Sequence, residues 1–186
     1  ARDLDGAVLA AAGVHVEPGA SATLAALVPG VGPVELVVDA TVDGLHGGSA
    51  RDALGERVSV THTVPAGEQA KTAEEVARLW STLRLDRGGT LVALGGGSTL
   101  DLAGFAAATY LRGVAWAPVP TTLVAQVDAA IGGKTGIDLP EGKNLAGAFH
   151  WPARVLVDPE LLAPLPEEEL AHGRAGLEAD YPSPRP

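Results

Sequence analysis

The stretch TLVALGGGSTLDLAG, Thr90 to Gly104, decides the fold. Its first five residues form a short apolar run ending in glycine, the pattern of a buried strand. Three consecutive glycines, Gly95, Gly96 and Gly97, follow at once, and a helix is predicted from about Thr99 to Leu111. Strand, glycines and helix in that order bring unblocked backbone N–H groups and a helix N-terminus to one point, an arrangement that binds a pyrophosphate. The spacing is not the GxGxxG fingerprint, and a plain tight turn accounts for the glycines equally well. Asp101, in the first turn of the helix, is either a ribose or nicotinamide contact or an acid placed for the helix dipole.

Outward from this centre, strand and helix patterns alternate. Val34–Asp39 (VELVVD) reads as a buried strand closed by an acid, and Val58–Thr63 as a second, alternating one. Thr72 and Glu75 fit a capping box, and Val76, Leu79, Trp80 and Leu83 recur on one helical face until Gly88-Gly89 stops the helix. Trp116–Val119 is a further strand ended by Pro120, Thr122–Ala130 a helix, Gly132–Gly136 a loop, and Val155–Asp158 the last strand. A final helix begins over Pro166–Ala171. Alternation of this kind predicts an α/β fold, a mostly parallel sheet with helices on both faces and a ligand at the carboxyl ends of the strands.

Composition bounds the function classes. Of the 186 residues, 46% are hydrophobic and 19% charged, and the mean hydropathy is +0.19, which describes a chain able to build a core. The formal net charge of −10 argues against a nucleic-acid surface, which needs clustered Lys and Arg, but leaves room for a small anionic ligand. Without cysteine there is neither a disulfide framework nor a thiolate metal site. Ala1–Gly13 has no basic start followed by an apolar run, and no stretch approaches ~18 apolar residues, so a cytoplasmic protein with no membrane partner is expected. The lack of any Met, even at position 1, leads us to expect a processed product or a fragment.

Several polar residues stand where chemistry would need them. Asp39 closes a strand, where an acid commonly receives ribose hydroxyls and where a turn residue is equally at home. Glu68 and Lys71, just ahead of a helix, are ligand contacts or a solvated pair. Thr121, Thr122, Asp128, Lys134, Lys143 and Asn144 gather around glycines between Pro120 and Asn144. An acid, two lysines and hydrogen-bonding side chains suit a polyhydroxylated anion, and they also suit a polar surface loop. The five histidines (His15, His46, His62, His150 and His172) show no ligand spacing, so none is assigned to a metal.

Taken together, GGGSTLDLAGFAAATYLRGV (Gly95–Val114), VPTTLVAQVDAAIGGKTGID (Val119–Asp138), GKNLAGAF (Gly142–Phe149) and PAGEQAKT (Pro65–Thr72) resemble the 3-dehydroquinate synthase family, over about Val34 to Leu170. The resemblance implies an NAD-binding domain spanning residues 31–171 after a weakly matched segment, 1–30. NAD would be held by Asp39, Glu68, Lys71, Gly95, Gly96, Gly97, Asp101, Thr121, Thr122 and Lys143. A sugar-phosphate substrate would meet the catalytic residues Arg112, Asp128, Lys134 and Asn144. The implied reaction converts 3-deoxy-D-arabino-heptulosonate 7-phosphate to 3-dehydroquinate plus phosphate, a lyase step of the shikimate pathway. It oxidises a carbinol with bound NAD, eliminates phosphate, returns the hydride and closes the ring, with a divalent metal, zinc or cobalt, polarising the oxygen. A homodimer is compatible with the family.

The match ends near His172. Where the family continues Gly-x-Ala-Glu-Val-x-Lys, with Glu a metal ligand, this sequence has Gly176 and Ala179 at the Glu and Lys positions, and Glu178 two residues out of register. Residues 172–186 are therefore expected to be a divergent, Pro-rich tail without the metal ligands of a second, helical domain, and Pro164 stands where a small polar residue is usual. The alternatives are another sugar-phosphate cyclase, of the 2-deoxy-scyllo-inosose or epi-valiolone type, a non-catalytic NAD-binding module, or a metal-dependent polyol dehydrogenase.

Overall fold

The computed structural model describes residues 13–180. Its strands are β1 (Val14–Val16), β2 (Val34–Asp39), β3 (Val58–Val64), β4 (Thr90–Gly95), β5 (Ala115–Pro120), β6 (Lys134–Leu139), β7 (Gly142–Phe149) and β8 (Val155–Val157). The α-helices are α1 (Leu24–Leu27), α2 (Ala40–Val42), α3 (Gly48–Leu54), α4 (Ala73–Thr82), α5 (Gly97–Thr109) and α6 (Glu167–Asp180). Four strands pair in parallel in the order β3-β2-β4-β5, and β1 pairs in parallel with β8. β8 runs beside β5, and the Gln126 side chain bridges their ends by donating to Pro120 O (3.2 Å) and Asp158 O (2.8 Å).

Alternation along the strands divides the core. Val34, Leu36 and Val38 of β2 join Val92, Leu94, Ala117 and Val119 on the face covered by α1 and α3. Val37, Leu91, Ala93 and Trp116 face the other way, against Val76 and Leu79 of α4 and Leu102, Ala103 and Ala106 of α5. Every residue of β2 and β4 is buried, as a parallel sheet covered on both faces requires. Register sets the ligand-facing rim. Asp39 pairs with Val64, Val38 with Leu94 and Gly95 with Pro120, so the four strands end level and their outgoing loops open together.

The strands around Thr90–Gly104 lie within a residue or so of their expected bounds, and Thr72 caps α4 by accepting from Glu75 N at 3.2 Å. Two readings are corrected. Lys134–Gly136, expected within a loop, opens β6 of an antiparallel hairpin with β7, whose many small residues hid the strand pattern. Trp80, expected on the buried face of α4, is 41% exposed and donates its indole N–H to Thr109 Oγ1 at 3.0 Å. The final helix, expected to begin over Pro166–Ala171, runs as α6 to Asp180. Tyr181–Pro186 lie outside the described residues.

Candidate functional site

The glycine turn after β4 is built for close backbone approach. A Cβ on Gly95 would sit 2.7 Å from Thr99 Cβ, and one on Gly96 would be 3.1 Å from Thr122 Cγ2. Gly96 is the N-cap of α5 and brings no side-chain cap, so the first N–H groups of a 13-residue helix are left to a ligand. They face a cleft of about 450 Å³ lined also by Asp39, His46, Thr121, Thr122 and Pro164. Asp39 is buried and engaged: one carboxylate oxygen accepts from Thr41 N (3.0 Å) and Val42 N (2.9 Å), the other from Thr99 Oγ1 (3.2 Å). Thr121 Oγ1 is buried with no partner, a hydroxyl left for something in the cleft.

A second cleft, of about 540 Å³, opens on the far side of α5 and is lined by Asp101, Asp128, Lys134, Thr135 and Asn144. Behind the lining residues Asp101 and Asn144 of this cleft lies Lys71, its side chain only 3% exposed. Its ammonium donates to Asp101 Oδ2 (2.9 Å) and Asn144 Oδ1 (2.5 Å), with Glu68 at 3.5 Å and Asp138 at 3.9 Å. Glu68 accepts from Ser98 Oγ at 3.3 Å and lies 3.7 Å from Lys143 Nζ. Burial first, then the neighbouring Glu68 and Asp138, push the Asp101 carboxyl above the usual carboxylate range against the pull of Lys71. Burial works against the Lys71 charge, yet the three surrounding acids outweigh it and hold its pKa above the ordinary value. The Asp101 shift is thus mainly an effect of burial, whereas the Lys71 shift is an effect of the three carboxylates around its ammonium, which stays charged at any ordinary pH.

The N-terminal 3-dehydroquinate synthase family profile matches residues 61–172, more than half of the chain. The chain belongs to the 3-dehydroquinate synthase family. The 3-dehydroquinate synthase of Symbiobacterium thermophilum is 51% identical over 172 residues, covering 87% of this chain and 48% of that protein. The same enzyme of Caulobacter vibrioides is 51% identical over 149 residues, 77% of this chain and 40% of that protein. The chain thus spans about half the length of these curated relatives. Among solved structures, a 2-epi-5-epi-valiolone synthase of Streptomyces hygroscopicus with NAD+ and Zn2+ bound superposes with a TM-score of 0.80 at 33% identity, over 88% of this chain and 47% of that one. A 2-deoxy-scyllo-inosose synthase complexed with carbaglucose-6-phosphate, NAD+ and Co2+ gives 0.79 at 27%, with the same coverage.

Within this family fold, the expected residues fall into two groups. Asp39, Gly96, Gly97, Thr121 and Thr122 line the first cleft, with Gly95 buried behind them. Asp101, Asp128, Lys134 and Asn144 line the second, and Lys71, Glu68 and Lys143 line neither but are linked through Glu68, 3.5 Å from Lys71 and 3.7 Å from Lys143. Arg112 is not brought in: it is exposed, has φ 68° in the turn after α5, and lines neither cleft. Sequence reasoning missed Thr99, Gln126 and Asp138. The signal for Asp138 lay in the same GGKTGID string, but its partners are residues 71 and 144, which only the fold brings together. Among the described residues, no three His, Asp or Glu side chains gather closely enough to hold a metal ion, and no helix is long and apolar enough to cross a membrane.

Proposed function

We propose that the chain carries the NAD site and part of the substrate site for cyclisation of 3-deoxy-D-arabino-heptulosonate 7-phosphate to 3-dehydroquinate with release of phosphate. The observation that carries the reading is the buried Lys71 ammonium, tied to Asp101 and Asn144 of the second cleft and 3.5 Å from Glu68, which bonds Ser98 of the first. Bound NAD would take up a hydride from a substrate carbinol and return it later. The first N–H groups of α5 would hold its pyrophosphate, and the free Thr121 hydroxyl would hydrogen-bond a polar group of the dinucleotide. Asp39 would present what remains of its accepting capacity to a ribose. The unpartnered Thr121 oxygen and the glycine turn fit such a group.

On the other side, Lys134 would meet the anionic substrate, and Asn144 and Asp128 would orient its hydroxyls. Lys71, fixed in charge, would offset the crowded carboxylates of Glu68, Asp101 and Asp138 and hold Asp101 and Asn144 in place beside the substrate. The described residues do not by themselves fit a divalent metal, and no step is drawn through one. Relatives at 51% identity are dehydroquinate synthases, whereas the valiolone and inosose synthases stand at 33% and 27%, which favours the heptulosonate phosphate as substrate.

Calorimetric titration of NAD into the purified chain tests the cofactor site. Saturable binding is expected, weakened at least tenfold in Lys71→Ala and Asp101→Ala and unchanged in the exposed control Arg87→Ala. A folded parent chain that takes up no NAD would sink the reading. With NAD present, the heptulosonate phosphate is expected to bind more tightly than heptulose phosphates lacking the carboxylate; the opposite order would favour another cyclase.

A further inference from the structure

The hairpin that carries Lys143 and Asn144 is interrupted where it passes the site. Ile137 pairs with Ala146 and Leu139 with Gly142, so Asp138 alone stands opposite Lys143, Asn144 and Leu145. Such a bulge bends a strand and re-aims its side chains, and it leaves backbone donors without ladder partners. Here the bulge is occupied by a closed ring of hydrogen bonds through three residues. Asp138 N donates to Lys71 O (2.8 Å), Asn144 N donates to Asp138 Oδ1 (2.8 Å), and Lys71 Nζ donates to Asn144 Oδ1 (2.5 Å). Asn144 is held at φ 56°, a left-handed conformation that asparagine adopts more readily than most residues but still at a cost.

We propose that Asp138 is the positioning residue of this site: its carboxylate replaces the missing ladder acceptor, fixes the bulge, and so aims Asn144 at Lys71 and Lys143 at Glu68. The proposal rests on reading the two clefts as cofactor and substrate sites. Asp138 lines neither cleft, so it acts through Lys71, Lys143 and Asn144 and touches no ligand itself. What matters is an acceptor at this reach, not the negative charge, because Glu68 and Asp101 already lie closer to the Lys71 ammonium.

The test compares Asp138→Ala with the conservative Asp138→Asn, which keeps an acceptor oxygen at the same reach. Two readouts are taken on the 186-residue chain: exchange of the Asn144 amide proton by NMR, and calorimetric affinity for NAD. In Asp138→Ala we expect exchange at Asn144 at least tenfold faster and NAD binding about tenfold weaker, with the circular dichroism of the parent retained. In Asp138→Asn both are expected to return to within about threefold of the parent. Should Asp138→Ala fail to fold, Asp138→Ser, whose hydroxyl is too short to reach the Asn144 amide, takes its place with the same expectation.

Undiminished protection of Asn144 in the Ala or Ser chain overturns the proposal, and so does an Asn chain as impaired as the Ala one. If the parent binds no NAD, the cofactor reading fails, and the exchange measurement alone decides the role of Asp138.

Discussion

Thr121 gives the sharpest residue-level test, because its hydroxyl is buried and unpartnered in this structure. An unsatisfied buried polar group costs roughly 1–3 kcal/mol, so Thr121→Val is expected to leave the free chain as stable as the parent or more so, in a thermal melt. The same change is expected to weaken NAD by about 2- to 10-fold in calorimetry, the worth of one hydrogen bond. A variant that loses stability and keeps its NAD affinity would contradict the assignment of that hydroxyl to the cofactor. Residues whose task is local were legible beforehand. Thr72 caps the helix that follows it, and Asp39 stands at a strand end, where an acid signals a turn or a ligand. The Lys71–Asn144 contact was not legible as a contact, since 73 positions separate the two and nothing in either neighbourhood names the other. Resemblance placed both at the site without saying that they meet.

At the level of elements, the α5–β6 contact depends on an absent side chain. A Cβ on Gly104 would come within 2.4 Å of Thr135 Cγ2 and about 3.0 Å of the Trp116 ring. Overpacking of this kind costs roughly 1–3 kcal/mol, while Ala in place of Gly in a helix returns about 1 kcal/mol. Gly104→Ala is therefore expected to lower stability by up to about 2 kcal/mol in urea denaturation. Gly48→Ala, at a helical position with open space around it, is expected to be neutral or to gain up to about 1 kcal/mol. Equal effects at the two sites would refute the packing argument. The hairpin shows why an element can stay hidden. Its pattern is carried by Gly136, Gly142, Ala146, Gly147 and Ala148, which have little hydrophobic contrast to alternate. Gly147 must be small because a Cβ there would stand 2.3 Å from Thr135 O. Strands β2 and β4, rich in Val and Leu, stood out from their polar and glycine-rich flanks and were found nearly to the residue.

Across the whole molecule, Asp158 joins the end of β8 to the segment after β1. Its carboxylate accepts from Gly19 N (3.0 Å), Ser21 N (3.0 Å) and Glu160 N (2.9 Å). Burial pushes this carboxyl up, but the bonds from Ser21, Glu160 and Gly19 together outweigh it and hold it below the usual range. A carboxyl depressed on folding adds stability that is fully present above its unfolded value, about 3.9. That contribution is lost as pH falls through the lower, folded value. Amide exchange at Gly19 and Ser21, corrected for intrinsic rates, is therefore expected to lose protection below about pH 4. Asp158→Asn is expected to remove that pH dependence. Protection in the parent that persists undiminished to pH 2 would refute the linkage. The α/β class was legible in the sequence because the strand–helix steps repeat the same signal, whereas the register that levels the strand ends was not. The β1–β8 pairing was not, because three-residue strands carry too little pattern to announce a partner.

That pairing also bears on how the chain comes to be folded during its synthesis. Val14 is in register with Val155, a separation of 141 residues (155 − 14), and their strands are parallel. At about 5–20 residues per second a ribosome needs on the order of ten seconds to deliver the second partner after the first. Throughout that interval the early strand has nothing to pair with, while β2, β3 and β4 emerge and find one another. The segment that begins the described fold is thus among the last to join it, and its closure waits until β8 has been made.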